Sequence, residues 1–196
     1  MLENYCKHLA VMMCENDLIK QTNVSTYAFE LQMMIEAAIV HFFLLLFFTI
    51  VRDPVGGLMF IVSFGLLRAG TGGFHCKTNI GCIAMSFMVS IYVFSSKELC
   101  QKYLLLYQGV VALSIIIILL SKPINHPNMN WSDNELFHAK RYVLILVSIL
   151  IVILFSLEIL NADFSLEYYL SSGFIQCAIS ILIAKIIGQE VKNDEG

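Results

Sequence analysis

From Tyr142 to Leu160 the chain reads YVLILVSILIVILFSLEIL and carries one charge, Glu158. Few environments accept such a segment. A helix apolar on every side is either the centre of a large soluble core or a membrane span. A span needs about 20 residues, within a range of about 17–25. Five more apolar segments accompany this one, at Ile35–Val51, Pro54–Arg68, Ile80–Phe94, Tyr103–Leu120 and Tyr168–Ile187. The 196 residues are 58% hydrophobic and only 14% charged, against about 45–50% and about 25% in soluble domains. A soluble fold of this size has no interior for so much apolar surface. The expected fold is an all-α integral membrane protein of about six transmembrane helices. Pro54–Arg68 and Ile80–Phe94 are short, and the former is open to a re-entrant reading.

Residues 2–19 have a different pattern. Leu2, Tyr5, Cys6, Leu9, Met12, Met13 and Ile19 recur at helical spacing, with Glu3, Lys7, Glu15 and Asp17 elsewhere around the helix. This predicts an amphipathic helix at the membrane surface or against the bundle. The start lacks a basic segment, a continuous apolar core and a small-residue cleavage site, so it does not read as a signal peptide. The expected organisation is one domain over 1–196, with 1–20 the interfacial helix and 35–188 the bundle. A net charge of −3 without a basic tract gives no reason to expect nucleic acid. The six cysteines show no extracellular framework and are expected as free thiols.

Six crossings with a cytosolic N-terminus place Lys7, Lys20, Arg68, Lys77, Lys122, Lys140, Arg141, Lys185 and Lys192 inside, and Arg52, Lys97 and Lys102 outside. The excess of basic residues inside predicts both termini in the cytosol, together with residues 68–79 and 121–141.

Between the second and third apolar segments lies GTGGFHCKTNIGC, residues 70–82. Gly70, Gly72 and Gly73 suit positive φ and predict a turn. Thr78 or Asn79 suits the N-cap of the following helix. With Asn79 as cap, Cys82 is the third helical residue. The positive end of the helix dipole and the free first-turn N–H groups favour a thiolate there. The same donors suit a tetrahedral oxyanion. On one straight helix His75 and Cys82 would stand about 10.5 Å apart along the axis. A base must approach its nucleophile to about 2.6–3.2 Å. Joint action therefore requires His75 to fold back from the turn over Cys82. Cys76 competes as nucleophile, but neighbouring side chains in an extended turn point apart, which favours Cys82. Zinc held by His75, Cys76 and Cys82 is a further reading, short of a fourth ligand and of paired spacing. An inert cysteine at a helix end is the plain alternative. A third, orienting group could be Asn79, Asn125, Glu36 or Asp133. Glu36 and His41 in the first span are costly in lipid, and either serve function or face a polar groove. The Phe42-Phe43 and Phe47-Phe48 pairs read as lipid-facing or core packing.

The pattern of Arg68, Gly72-Gly73-Phe74-His75, Cys82 seven residues after the histidine, and Lys122-Pro123-Ile124 after the fourth segment resembles the accessory gene regulator B (AgrB) family. The size, amphipathic start and hydropathy profile are similar over nearly the whole chain. The resemblance implies a cysteine endopeptidase of the cell membrane that acts in quorum sensing. Such an enzyme cuts the C-terminal tail from a small AgrD-like precursor peptide, holds the rest as a thioester, and promotes its cyclisation to a thiolactone or lactone. By position, Cys82 is the implied nucleophile and His75 the base. Arg68, Gly72, Gly73 and Lys122 support the site or bind substrate. A homodimer is implied, and no cofactor or metal. Ser121 stands where some members carry further lysines. A small transporter or exporter, or a non-catalytic scaffold, are the competing classes; the first would require paired ionisable groups in several spans.

Overall fold

The structure is a computed structural model that describes residues 2–74, 76, 78–125 and 131–189, with only the backbone of Thr22 and Asn79. The described residues form seven α-helices and no strand. They are α1 (Leu2–Glu15), α2 (Val24–Ile50), α3 (Pro54–Thr71), α4 (Asn79–Lys102), α5 (Leu104–Leu120), α6 (Asp133–Ile159) and α7 (Phe164–Ile187), with one 3-10 turn at Gln21–Asn23. The protein is an all-α membrane-embedded bundle preceded by a separate N-terminal helix.

Five helices, α2, α3, α4, α6 and α7, are long and apolar enough to cross a membrane. The short third segment of the sequence becomes the 24-residue α4, because the helix continues through SSKELCQK. There Ser96 pairs with the Tyr168 hydroxyl at 2.9 Å, and Lys97 with Asp53 at 3.0 Å. Pro54–Thr71 is one unbroken helix of 18 residues rather than a broken re-entrant segment. Conversely, the fourth segment, expected to be comfortably long, gives only the 17-residue α5, at the short end of the spanning range.

Contacts at the helix ends fix the direction of each helix. At one end, Asp53 before α3, Lys97 late in α4, Tyr107 early in α5 and Tyr168 early in α7 come together. At the other, the C-terminal ends of α3, α5 and α7 meet the start of α6, and α4 begins there. The helices therefore alternate in direction. Arg68, Lys122, Lys140 and Lys185 belong to this second end, which also carries the Gly72–Thr78 connection.

At the centre α3 packs along α7. A Cβ on Gly173 of α7 would lie 2.9 Å from the Phe64 backbone nitrogen, so glycine is what allows the two backbones to approach. Leu67, Ile118, Val143, Val147, Phe174 and Ile181 fill one core region, and Phe48, Phe60, Val93, Tyr107, Tyr168 and Tyr169 the other. The Phe pairs divide between the two expected roles: Phe48 is fully buried, whereas Phe42 and Phe43 face outward.

α1 ends at Glu15, earlier than the expected Ile19. It packs on α2 through Cys6 and Ala10, both fully buried, and leaves Tyr5, Val11 and Met12 exposed. α2 starts at Val24, well before the expected Ile35. Gln32 donates to Glu36 at 2.7 Å along this helix, which shows how polar residues are accommodated in its first half. His41 lies against α3, with Cε1 and Nε2 each 3.5 Å from a Cβ built on Gly65.

Candidate functional site

The site is assembled where α3 ends and α4 begins. Gly70 is helical, contrary to the expected turn, and the chain leaves α3 only after Thr71. The reason is packing: a side chain on Gly70 would meet Tyr142 at 2.5 Å and Val143 at 2.7 Å. The turn is made by Gly72 (φ 63°) and Gly73 (φ 135°). Both lack room as well: a Cβ on Gly72 would stand 2.6 Å from the Ile124 carbonyl oxygen, and one on Gly73 would be 2.6 Å from Ser180 Oγ.

Arg68, on the last turn of α3, holds this connection. Its Nη1 donates to the Gly72 carbonyl at 3.2 Å and to Ser180 Oγ of α7, and its Nη2 donates to the Phe74 carbonyl. The Phe74 N–H in turn donates to Ser180 Oγ at 3.1 Å and to the Ser180 carbonyl at 3.2 Å. Among the described residues Arg68 has no carboxylate partner. It lies within electrostatic reach of Cys177, Cys82 and Cys76. Charge-assisted hydrogen bonds to neutral oxygens are strong and directional, so one guanidinium fixes a two-glycine turn that would otherwise be loose.

The Lys122-Pro123-Ile124 segment joins the same framework. The Ile124 N–H donates to the Thr71 carbonyl at 2.8 Å, and Thr71 Oγ1 lies 3.2 Å from Cys177 Sγ. Lys140 of α6 donates to the carbonyls of Leu119 at 2.5 Å and Ser121 at 2.6 Å, and Lys185 to Ser121 Oγ at 3.3 Å. Cations here complement the negative end of the α5 dipole. Lys122 itself is exposed.

Cys82 lies in the first turn of α4, as its sequence context predicts, but one position later. Thr78, not Asn79, is the N-cap: its backbone is extended (φ −132°, ψ 145°) and its Oγ1 accepts from the Gly81 N–H at 3.2 Å. Threonine and asparagine are both good caps, so local sequence does not separate them. Cys82 is therefore the fourth helical residue, and its own N–H is spent on the Thr78 carbonyl at 3.1 Å. The helix leaves the Asn79 and Ile80 amides without acceptors of its own. One donor comes from outside the helix: the Cys76 N–H points at Cys82 Sγ at 3.3 Å.

The Cys76 side chain also departs from the expectation that it turns away. The chain bends at Gly72 and Gly73 before it reaches Cys76, and that bend sets where the side chain goes. Cys76 folds over the first turn of α4, its Cβ 3.1 Å and its Sγ 3.5 Å from a Cβ built on Gly81. Burial, and then the neighbouring Cys82, push the Cys76 thiol above its ordinary value, with Arg68 pulling weakly the other way.

His75 and Lys77 lie outside the described residues, as does the Asn79 side chain, so the fold-back of His75 over Cys82 and the metal reading fall there too. Of the possible orienting residues, Asn125 is engaged elsewhere: its Nδ2 donates to the Trp131 carbonyl at 3.1 Å and its Oδ1 accepts from the Trp131 N–H at 3.0 Å. Glu36 accepts from Gln32, and Asp133 is exposed on the first turn of α6. The structure adds Ser180, Thr71, Cys76 and Lys140 to the framework. In the sequence the only trace of Ser180 is a small polar residue within an apolar span.

The chain matches the family model described as AgrB, accessory gene regulator B, over residues 6–188. No match was found among curated proteins or among solved structures. The matched range takes in α2 to α7 and most of α1, with Arg68, Gly72, Gly73, Cys82 and Lys122 inside it. The chain thus belongs to the accessory gene regulator B family, the membrane proteins of quorum sensing of that name.

Proposed function

We propose that this protein is a membrane cysteine endopeptidase that removes the C-terminal tail of a small AgrD-like precursor through a Cys82 thioester and promotes cyclisation of the remainder. The observation that carries this reading is the setting of Cys82: a thiol in the first turn of α4 with an N–H aimed at its sulfur at 3.3 Å, beside a connection pinned by Arg68. His75, next in the chain to the pinned Phe74, serves as base and takes the thiol proton. The thiolate attacks the scissile carbonyl, and the collapsing intermediate expels the tail amine, which the imidazolium protonates. His75, now neutral, takes the proton of a thiol or hydroxyl within the bound peptide as that group attacks the thioester carbonyl; the ring closes, the bond to Cys82 breaks, and Cys82 leaves as thiolate beside the imidazolium. Water competes for that thioester, and a site at the edge of a lipid-embedded bundle limits its access. Positive charge at this end of the bundle supports a cytosolic orientation for the site and both termini.

The test uses purified protein in lipid vesicles with the cognate precursor. Wild-type protein should acquire a covalent peptide adduct that hydroxylamine removes. Cys82→Ala and His75→Ala should abolish both adduct and cleavage while the protein remains in the membrane. Cys82→Ser should give at most an oxygen ester, which resists that reagent. Cleavage by Cys82→Ala at near the wild-type rate would refute the assignment.

A further inference from the structure

Two cysteines meet at the start of α4, and the endopeptidase chemistry uses one of them. The Cys76 N–H reaches Cys82 Sγ at 3.3 Å, and the Cys76 Sγ lies over the same first turn, 3.5 Å from a Cβ built on Gly81. A main-chain nitrogen that close to the sulfur leaves the two Cα atoms no more than ~7.5 Å apart, so a small shift of the connection reaches the ~4.4–6.8 Å separation that a disulfide bridges. All six cysteines of the chain are free, and Cys6 and Cys177 are buried in helices, whereas Cys76 and Cys82 are both partly exposed. The segment between them carries Gly81, whose missing side chain leaves the space over which Cys76 lies.

We propose that Cys76 is a resolving cysteine for Cys82, and that the pair is a reversible oxidation site for peroxide. The Cys82 sulfur attacks one oxygen of hydrogen peroxide. A Cys82 sulfenic acid forms and the O–O bond breaks, releasing hydroxide that takes a proton to become water. The Cys76 sulfur then attacks the Cys82 sulfur, the S–OH bond breaks, and the thiol proton leaves with that hydroxide as a second water. Two thiols are oxidised to one disulfide and one peroxide is reduced to two waters. A sulfenic acid without a resolving thiol proceeds to sulfinic acid, which ordinary thiols do not reduce. In this arrangement Cys76 stops that second oxidation and leaves Cys82 recoverable.

The site offers a direct readout that does not depend on any peptidase activity. Trypsin cuts after Arg68, Lys77 and Lys97, so Cys76 lies on the peptide 69–77 and Cys82 on 78–97. Full-length protein in lipid vesicles is treated with a small excess of hydrogen peroxide, blocked with iodoacetamide, digested, and examined by mass spectrometry. Wild-type protein should yield the two peptides joined, lighter by two hydrogens than their sum and separated by dithiothreitol. After dithiothreitol, Cys82 should regain alkylation. In Cys76→Ser, Cys82 sulfinic acid should accumulate and alkylation after dithiothreitol should fall by about tenfold or more. Gel filtration and circular dichroism confirm that the variant is folded. The proposal is overturned if wild-type Cys82 goes to sulfinic acid with no joined peptide, if the bridge links different cysteines or two chains, or if folded Cys76→Ser recovers as well as wild type.

Discussion

Replacing Gly73 by alanine perturbs the connection at its tightest point. Two costs arise. At φ 135° Gly73 occupies a region that L side chains rarely adopt, which costs about 1–3 kcal/mol. The new methyl would also lie 2.6 Å from Ser180 Oγ and against the Arg68 guanidinium. Neither neighbour can yield freely, since Arg68 and Ser180 are bonded to each other and both hold Phe74. Giving up one bond to a charged group costs a further ~1.5–3 kcal/mol. The sum is capped by the cheaper response, in which the connection detaches from α7 and the helices stay packed. The expectation is therefore a folded bundle with a displaced site. If about 2.7 kcal/mol of this appears in the barrier, cleavage slows about a hundredfold. Precursor cleavage by Gly73→Ala and wild-type protein is compared in the same vesicles, with circular dichroism as control for the helices. Retention of activity within about threefold of wild type, with helicity unchanged, would refute the reasoning that the pinned turn positions the site.

The proposed orientation is checked in intact cells with a cysteine-free background carrying Leu2→Cys, Glu98→Cys or Asp194→Cys; an impermeant maleimide should label only the second. Gly173→Ala should push α3 and α7 apart, because its Cβ would meet the Phe64 backbone nitrogen at 2.9 Å. A loss of about 1–3 kcal/mol is expected for such overpacking, read as a lower midpoint in thermal unfolding in detergent. Burial tends to raise the Asp53 carboxyl, but the Lys97 ammonium and further hydrogen bonds bring it below its ordinary value of 3.8. A carboxyl depressed in the folded state contributes stability above its unfolded pKa and loses it as pH falls through the folded one. Asp53→Asn should therefore be less stable than wild type near neutral pH, and the difference should shrink as pH falls past the ordinary carboxylate value and vanish below the lowered folded-state one.

The apolar runs made the helices legible, because in lipid a run of spanning length has one regular way to satisfy its backbone. Their ends were less so. α4 passes Phe94 because Ser96 and Lys97 find partners on other elements, and a single sequence does not reveal such partners. The position of Cys82 at a helix start was readable from the glycines before it and the Thr78-Asn79 cap. The direction of Cys76 was not, since it depends on how the connection leaves Gly73, and that is fixed by Ser180, 106 residues from Phe74 in the chain. Lys122 drew notice for its motif, yet the hydrogen bonds that hold its segment come from Lys140 and Ile124. A lysine at the start of a long apolar helix otherwise reads as an interfacial residue.

Arg68 and Lys140 both grip main-chain carbonyls, those of Gly72 and Phe74 in one case and of Leu119 and Ser121 in the other. A carbonyl is present whatever side chain the residue bears. These grips on 74 and 119 therefore do not depend on which side chains stand there, provided the two cations and the path of the backbone persist, whereas at 121 the Ser121 hydroxyl also holds Lys185. The frame that holds the connection is thus separable from the identity of some of the residues it holds.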